Sequence, residues 1–260
     1  MRRDDWPEEF ELAERSVVPW SCPNCLQKTL TVSPGTVHVQ EGIESQKAGY
    51  HEAWDPEWTD RRFVCMLSCR CGEWIAVAGK QHVQQVFFAS ELSESNVHYL
   101  DISVPRFFQP PLRVINISEA VPTEVREQVD RSFSAFWSDL ESCANRVRAS
   151  VEKLLDNLGI KRTAIQNGQR RPLSLHSRIQ LSATCGNAFA NELMAIKWLG
   201  NAGAHSSAIT REDILDAYEI IEHVLREIYD QPGKRIARIA KTINKAKKPR
   251  SVTHRTRRRT

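Results

Sequence analysis

Apolar residues recur at two different periods along this chain, and the change of period divides it. From residue 140 onward, Leu140, Cys143, Ala144, Val147, Val151, Leu154, Leu155 and Leu158 fall at three- and four-residue steps. They predict an amphipathic helix stopped by Gly159, which can take left-handed backbone. Ile214, Leu215, Tyr218, Ile221, Val224, Leu225 and Ile228 repeat the pattern behind Thr210-Arg211-Glu212-Asp213, a capping box with Asp at its third helical position. Further helices are predicted from Pro122 to Trp137, around Leu173 to Thr184, and from Ala188 to about Ala204. Five helices so close in sequence pack as a compact bundle.

Before residue 122 the pattern is strand-like. Leu30 to Val39 and Phe63 to Leu67 read as strands, and Trp74 to Val77 with Val83 to Phe88 as a pair turning at Gly79-Lys80. Prolines 105, 110, 111 and 122 punctuate a connection that carries a short β run, Leu112 to Ile117. The fold class is therefore α+β, with segments 1–117, 118–232 and 233–260.

At 41% apolar and 26% charged residues the chain is globular, not disordered or collagenous. Charge changes the picture at one end. Residues 234–260 hold 12 of the 36 Lys and Arg and none of the 32 Asp and Glu, so the remainder carries 24 minus 32, or −8. Ile236, Ile239, Ala240 and Ile243 give the start of this tail one apolar helical face, and the stretch after Pro249 is expected to be disordered. Lys234, Arg235, Arg238, Lys241, Lys245, Lys247, Lys248, Arg250, Arg255, Arg257, Arg258 and Arg259 are candidate phosphate contacts. No base-reading motif accompanies them, so attachment to RNA or DNA is expected to be sequence-independent.

No stretch approaches the roughly 18 apolar residues of a membrane helix, and residues 1–9 lack the apolar core of a secretory signal. A cytoplasmic location without membrane contact is expected, and there cysteines act as thiols or metal ligands. Five of the seven precede residue 72. Cys22-Pro23-Asn24-Cys25 is a knuckle that aims two thiolates at one metal, and Cys69-Arg70-Cys71-Gly72 follows 44 residues later. Four thiolates at about 2.3 Å satisfy the tetrahedral preference of structural Zn2+ and predict a β-rich zinc ribbon. The second pair has one intervening residue where two are usual, which leaves Cys65 as a substitute for Cys69.

One constellation invites a catalytic reading. If Lys197 to His205 is helical, Lys197, Asn201 and His205 share a face, and a His beside a cation is the minimum equipment for metal-free RNA cleavage. A His near a helix end also caps carbonyls, and Gly200 and Gly203 serve equally to admit a second helix, including one from another subunit.

Together the C-x2-C ribbon, Pro-Pro-Leu-x-x-Ile-x-Ile at 110–117, Ala144 to Glu152 and Gly200-Asn201-x3-His205 resemble the bacterial family known as domain of unknown function 4145. The resemblance spans most of residues 20–230, and its helical half is similar to the HEPN (higher eukaryotes and prokaryotes nucleotide-binding) superfamily. It implies a HEPN-like bundle, homodimers, and roles with partner proteins in anti-phage defence, restriction or toxin–antitoxin systems. Active HEPN ribonucleases carry Arg four to six residues before the His. Asn201 and His205 match, but Gly200 stands at the Arg position, Lys197 lies one turn early, and Arg146 or Arg148 on a neighbouring helix can substitute only if the fold brings them near. The favoured expectation is a binding protein that contacts nucleic acid through its tail, and the alternative a metal-independent ribonuclease using His205 at a dimer interface.

Overall fold

The computed structural model describes residues 3–86, 98–202 and 209–247. An antiparallel sheet occupies the N-terminal half and helices the C-terminal half, a mixed α+β architecture. Strands β1 (Leu30–Val32) and β2 (His38–Glu41) both pair with β3 (Asp60–Cys69), which is followed by β4 (Trp74–Val86) and β5 (His98–Gln109). Between β2 and β3 run a short helix α1 (Ile43–Ala48) and a 3-10 turn, Pro56–Trp58. Alternation along the strands sends Phe63, Cys65, Leu67, Ile75 and Val77 inward, where each is nearly inaccessible to water.

Three sequence expectations change here. The apolar run from Leu30 is broken into two strands at Ser33-Pro34-Gly35, where Gly35 takes φ +70. Residues 74–86 form one strand, without a turn at Gly79-Lys80. Gly79 sits at a β-bulge, and a Cβ there would lie 2.3 Å from the Val104 carbonyl oxygen and 2.6 Å from the Phe63 ring. The glycine marks a close approach of backbone, not a reversal of direction. Pro105 faces it across the same irregularity, so β5 passes through a residue that read as a strand breaker. The third change is the run 112–117, which forms no strand, yet Leu112, Val114 and Ile115 are all buried as it crosses to the helical half.

The helices are α2 (Thr123–Ala135), α3 (Leu140–Asn157), α4 (Leu175–Thr184), α5 (Ala190–Ala202) and α6 (Arg211–Leu225). The Asp139 side chain caps α3, Gly159 ends its C-terminal turn at φ +74, and Thr210 and Asp213 make the reciprocal capping box of α6. A small hairpin, β6 (Thr163–Gln166) and β7 (Gln169–Pro172), projects between α3 and α4. After a π-helical turn, Arg226–Asp230, the chain continues as α7 (Pro232–Ala246), none of whose residues is buried.

One hydrophobic cluster runs through both halves. At the junction Trp20 lies 5.2 Å from Phe108 and 5.3 Å from Trp137, ring centre to ring centre. The Arg211 guanidinium stacks 4.1 Å above Phe136 and 4.5 Å above Trp137 and donates to the Trp6 carbonyl, and burial lowers its pKa to about 10. Arg3 is paired with Glu212, Asp216 and Glu219 of α6, so the N-terminal segment straps sheet to helices.

Candidate metal centre and the α3–α5 contact

The knuckle at residues 22–25 and the β3–β4 turn bring four sulfurs together. Leu26, at φ 60, closes the knuckle with its amide donating to the Cys22 carbonyl, and Gly72, at φ +94, closes the opposing turn on the Cys69 carbonyl. That glycine is what lets a one-residue spacing present both Cys69 and Cys71. The Sγ atoms of Cys22, Cys25, Cys69 and Cys71 all lie within 4.8 Å of one another, with Cys22–Cys71 at 3.7 Å and Cys25–Cys69 at 3.6 Å. A tetrahedron with bonds of about 2.3 Å has edges of about 3.8 Å, so the donor set fits a tetrahedral thiophilic ion. These four cysteines are close enough to hold a metal ion.

The surroundings favour anionic sulfur at one corner. Burial works to raise the Cys69 thiol, but the Cys71 amide, the Thr29 hydroxyl at 3.0 Å and the neighbouring sulfurs outweigh it and bring the thiol down to about 6. Asn24 places its amide 3.7 Å from Cys71 Sγ. Burial pushes Cys22 up to about 12, so a cation that binds this sulfur must displace its proton. Thr29 and Asn24 escaped the sequence reading because such supporting groups follow no spacing rule. Cys65, the substitute offered for Cys69, is not in this group of four. It lies four residues up β3, on the core side, 3% exposed, with burial raising its thiol to about 11. Cys143 is likewise a core residue, its sulfur 3.2 Å from the Tyr218 hydroxyl.

In the helical half, His205 lies outside the described residues. Asn201 is half-buried on α5, and Lys197 is only 8% exposed, its Nζ 3.1 Å above the Trp198 ring. The close partner of Gly200 is α3 of the same chain. A Cβ at 200 would lie 2.7 Å from Arg148 Cβ, 2.9 Å from Arg148 Cδ and 3.3 Å from the Ala144 carbonyl. The position where the resembled motif carries Arg is thus overlain by an arginine from another helix. Arg148 is held by Asn145 Oδ1 at 3.3 Å and Glu152 Oε1 at 3.3 Å, whereas Arg146 points to solvent.

Of the tail cations, Lys234, Arg235, Arg238, Lys241 and Lys245 stand exposed on α7 and Lys247 follows it. Lys248, Arg250, Arg255, Arg257, Arg258 and Arg259 lie outside the described residues. Among the described residues no helix is long and apolar enough to cross a membrane.

Two family models match the chain. Residues 130–246 match "Domain of unknown function (DUF4145)" and residues 10–108 match "Domain of unknown function (DUF8608)". The first match supports the resembled family for the helical half, while the sheet half matches a separate model. No curated protein and no solved structure matches the chain.

Proposed function

We propose that this chain is a zinc-stapled binding protein that contacts nucleic acid through its cationic C-terminal tail, as a homodimer within a bacterial defence, restriction or toxin–antitoxin system. The observation that carries it is the segregation of charge. Six exposed cations between residues 234 and 247 face solvent with no carboxylate among them, on a protein whose residues before 234 sum to −8. Zinc at Cys22, Cys25, Cys69 and Cys71 is assigned a structural role, because four sulfurs complete a tetrahedron and leave no open position for a substrate. The HEPN-like character of the bundle, the dimer and the defence setting rest on the resemblance. Replacing Lys234, Arg235, Arg238, Lys241, Lys245 and Lys247 by Gln tests the tail. The slope of log affinity against log salt is expected to fall by roughly 0.7 for each single-strand phosphate that the variant no longer neutralises. An unchanged slope and affinity in this variant and in a chain lacking residues 234–260 would remove the tail from the mechanism.

A second reading is favoured by one contact. The stem of Arg148 lies over Gly200, which brings an arginine of α3 to the helix that carries Asn201, and a ribonuclease needs such a cation. RNA cleavage in EDTA that disappears in both His205→Ala and Arg148→Gln would establish this reading, and no cleavage by the unaltered protein would discard it.

A further inference from the structure

The face of the sheet turned away from the core carries an apolar patch where a solvated face should be polar. Strand alternation places Arg62, Val64, Met66 and Ser68 of β3 on it. Opposite them stand, in order, Lys80, Ala78, Ala76 and Trp74 of β4. Strand β2 adds Gln40 beside Arg62 and His38 beside Val64, and β5 adds Phe107 beside Ala78 and Gln109 beside Ala76. Phe107 is 60% exposed, Trp74 53% and Val64 49%. Ala76 and Ala78 keep the surface between the two rings low, and beside Phe107 a groove of about 430 Å³ runs over Thr36, Val64, Met66 and the alanines to Ser134 of α2.

We propose that this face is a stacking platform for a single-stranded nucleic acid, with bases on Phe107 and Trp74 and the backbone drawn towards Arg62 and Lys80. Ring spacing and charge both argue for this occupant. Trp74 is four residues along β4 from the partner of Phe107, which puts the two rings about 14 Å apart by strand geometry. That distance suits a strand laid across an open antiparallel sheet, where two or three unpaired bases meet exposed aromatics. In a duplex the base faces are already stacked on one another and cannot reach the rings. The charge is complementary: Arg62 and Lys80 are direct neighbours, and the one carboxylate among the described residues of these rows, Asp60, lies a row beyond them, in a body that is otherwise acidic. An apolar peptide would use the groove but would gain nothing from paired cations beside it. Stacking is tolerant of sequence because every base has a π-face, which agrees with a tail that reads no sequence.

This proposal rests on the nucleic-acid reading for its class of ligand, but it uses different residues, so the two fail separately. The full chain and its variants are titrated into fluorescent 12-mers of oligouridine and oligodeoxythymidine, single-stranded and annealed to a complement, at several salt concentrations. Phe107→Ala should weaken single-strand binding by roughly 5- to 150-fold with little change in salt slope, and Phe107→Trp should retain it. Arg62→Gln with Lys80→Gln should lower the slope by roughly 1.4. Bound oligonucleotide should quench tryptophan emission in the unaltered protein and less in Trp74→Phe. Because Phe107 is exposed, the alanine variant should keep the parent melting temperature. The proposal is overturned if Phe107→Ala binds as the parent does, or if duplex binds as well as single strand. It is overturned equally if a photo-crosslinker at position 107 in cells captures a protein or a second copy of this chain instead of nucleic acid. Loss of binding in the tail variant alone would uphold the tail and reject the platform; loss in the Phe107 variant alone would do the reverse.

Discussion

Among single residues, the two cysteines nearest in sequence to each other's role part company. Cys65 and Cys69 point to the same side of β3, but only Cys69 reaches the end of the strand, where the Gly72 turn folds Cys71 back and the knuckle approaches. Cys71→Ser or Cys22→Ser should therefore lower the zinc content from about one per chain, measured by atomic absorption. Cys65→Ser should keep its zinc and instead lose stability by roughly 1–3 kcal/mol, the cost of a hydroxyl in an apolar site. Full zinc in Cys71→Ser would break the assignment. The pairing of Cys22-x2-Cys25 with Cys69-x-Cys71 was legible in the sequence because spacing alone limits where thiolates can point. The sequence offered Arg146 and Arg148 alike as stand-ins for the arginine, and could not show that Arg148 lies over Gly200, since that contact depends on how two helices separated by some fifty residues cross. The glycine is taken up by packing against α3, which a motif comparison registers only as a missing arginine.

For whole elements, legibility followed period and turn chemistry. Helices α3 and α6 stand where their stripes and caps put them, because a long 3.6-residue pattern has few other solutions. Strand β5 escaped notice because Pro105 looks like a breaker until β4 supplies Gly79 opposite it, a long-range compensation. Asn167-Gly168, both with positive φ, turns the β6–β7 hairpin, and its signal was present but overlooked within so short a polar stretch. One carboxylate joins these helical elements. Asp156, at the end of α3, accepts from Arg162 in the connection and from Arg178 of α4, both at 2.7 Å, and those hydrogen bonds hold its carboxyl below the usual range against the opposing effect of burial. A carboxylate with a depressed folded pKa adds stability above its unfolded value, near 4, and that contribution is lost as pH falls through the lower folded value. Asp156→Asn should therefore melt at lower temperature at pH 7, by the equivalent of roughly 3 kcal/mol, because Arg178, 7% exposed, loses its counter-charge. The gap between variant and parent should close in acid. A gap independent of pH would mean that Asp156 acts by shape, not charge.

Across the whole molecule, charge and packing divide differently. Charge separates an acidic body from a cationic tail. Four thiolates around one Zn2+ would add −2, taking the body from −8 to −10, against which α7, the Arg62–Lys80 pair and the exposed Lys161, Arg162, Arg170 and Arg171 beside the β6–β7 hairpin are local cationic surfaces. Packing shows no such division, because the core is continuous from Trp6 to Leu225. Trp20, two residues before the Cys22–Cys25 knuckle, is wholly buried against Phe108 of the sheet and Trp137 beyond α2, and Arg211 of α6 closes the same cluster over Phe136. Metal removal should thus be felt beyond the knuckle. Freed of its cross-link, the knuckle loses its hold on Trp20, and the ring that binds sheet to helices becomes free to leave. Holo protein is expected to unfold in a single calorimetric transition. Chelation under denaturant-free conditions should lower that one transition by many degrees, with helical circular dichroism and tryptophan emission changing together. Two resolved transitions, with only the earlier one sensitive to chelator, would show that the sheet and the helices are stabilised independently despite the shared aromatic cluster.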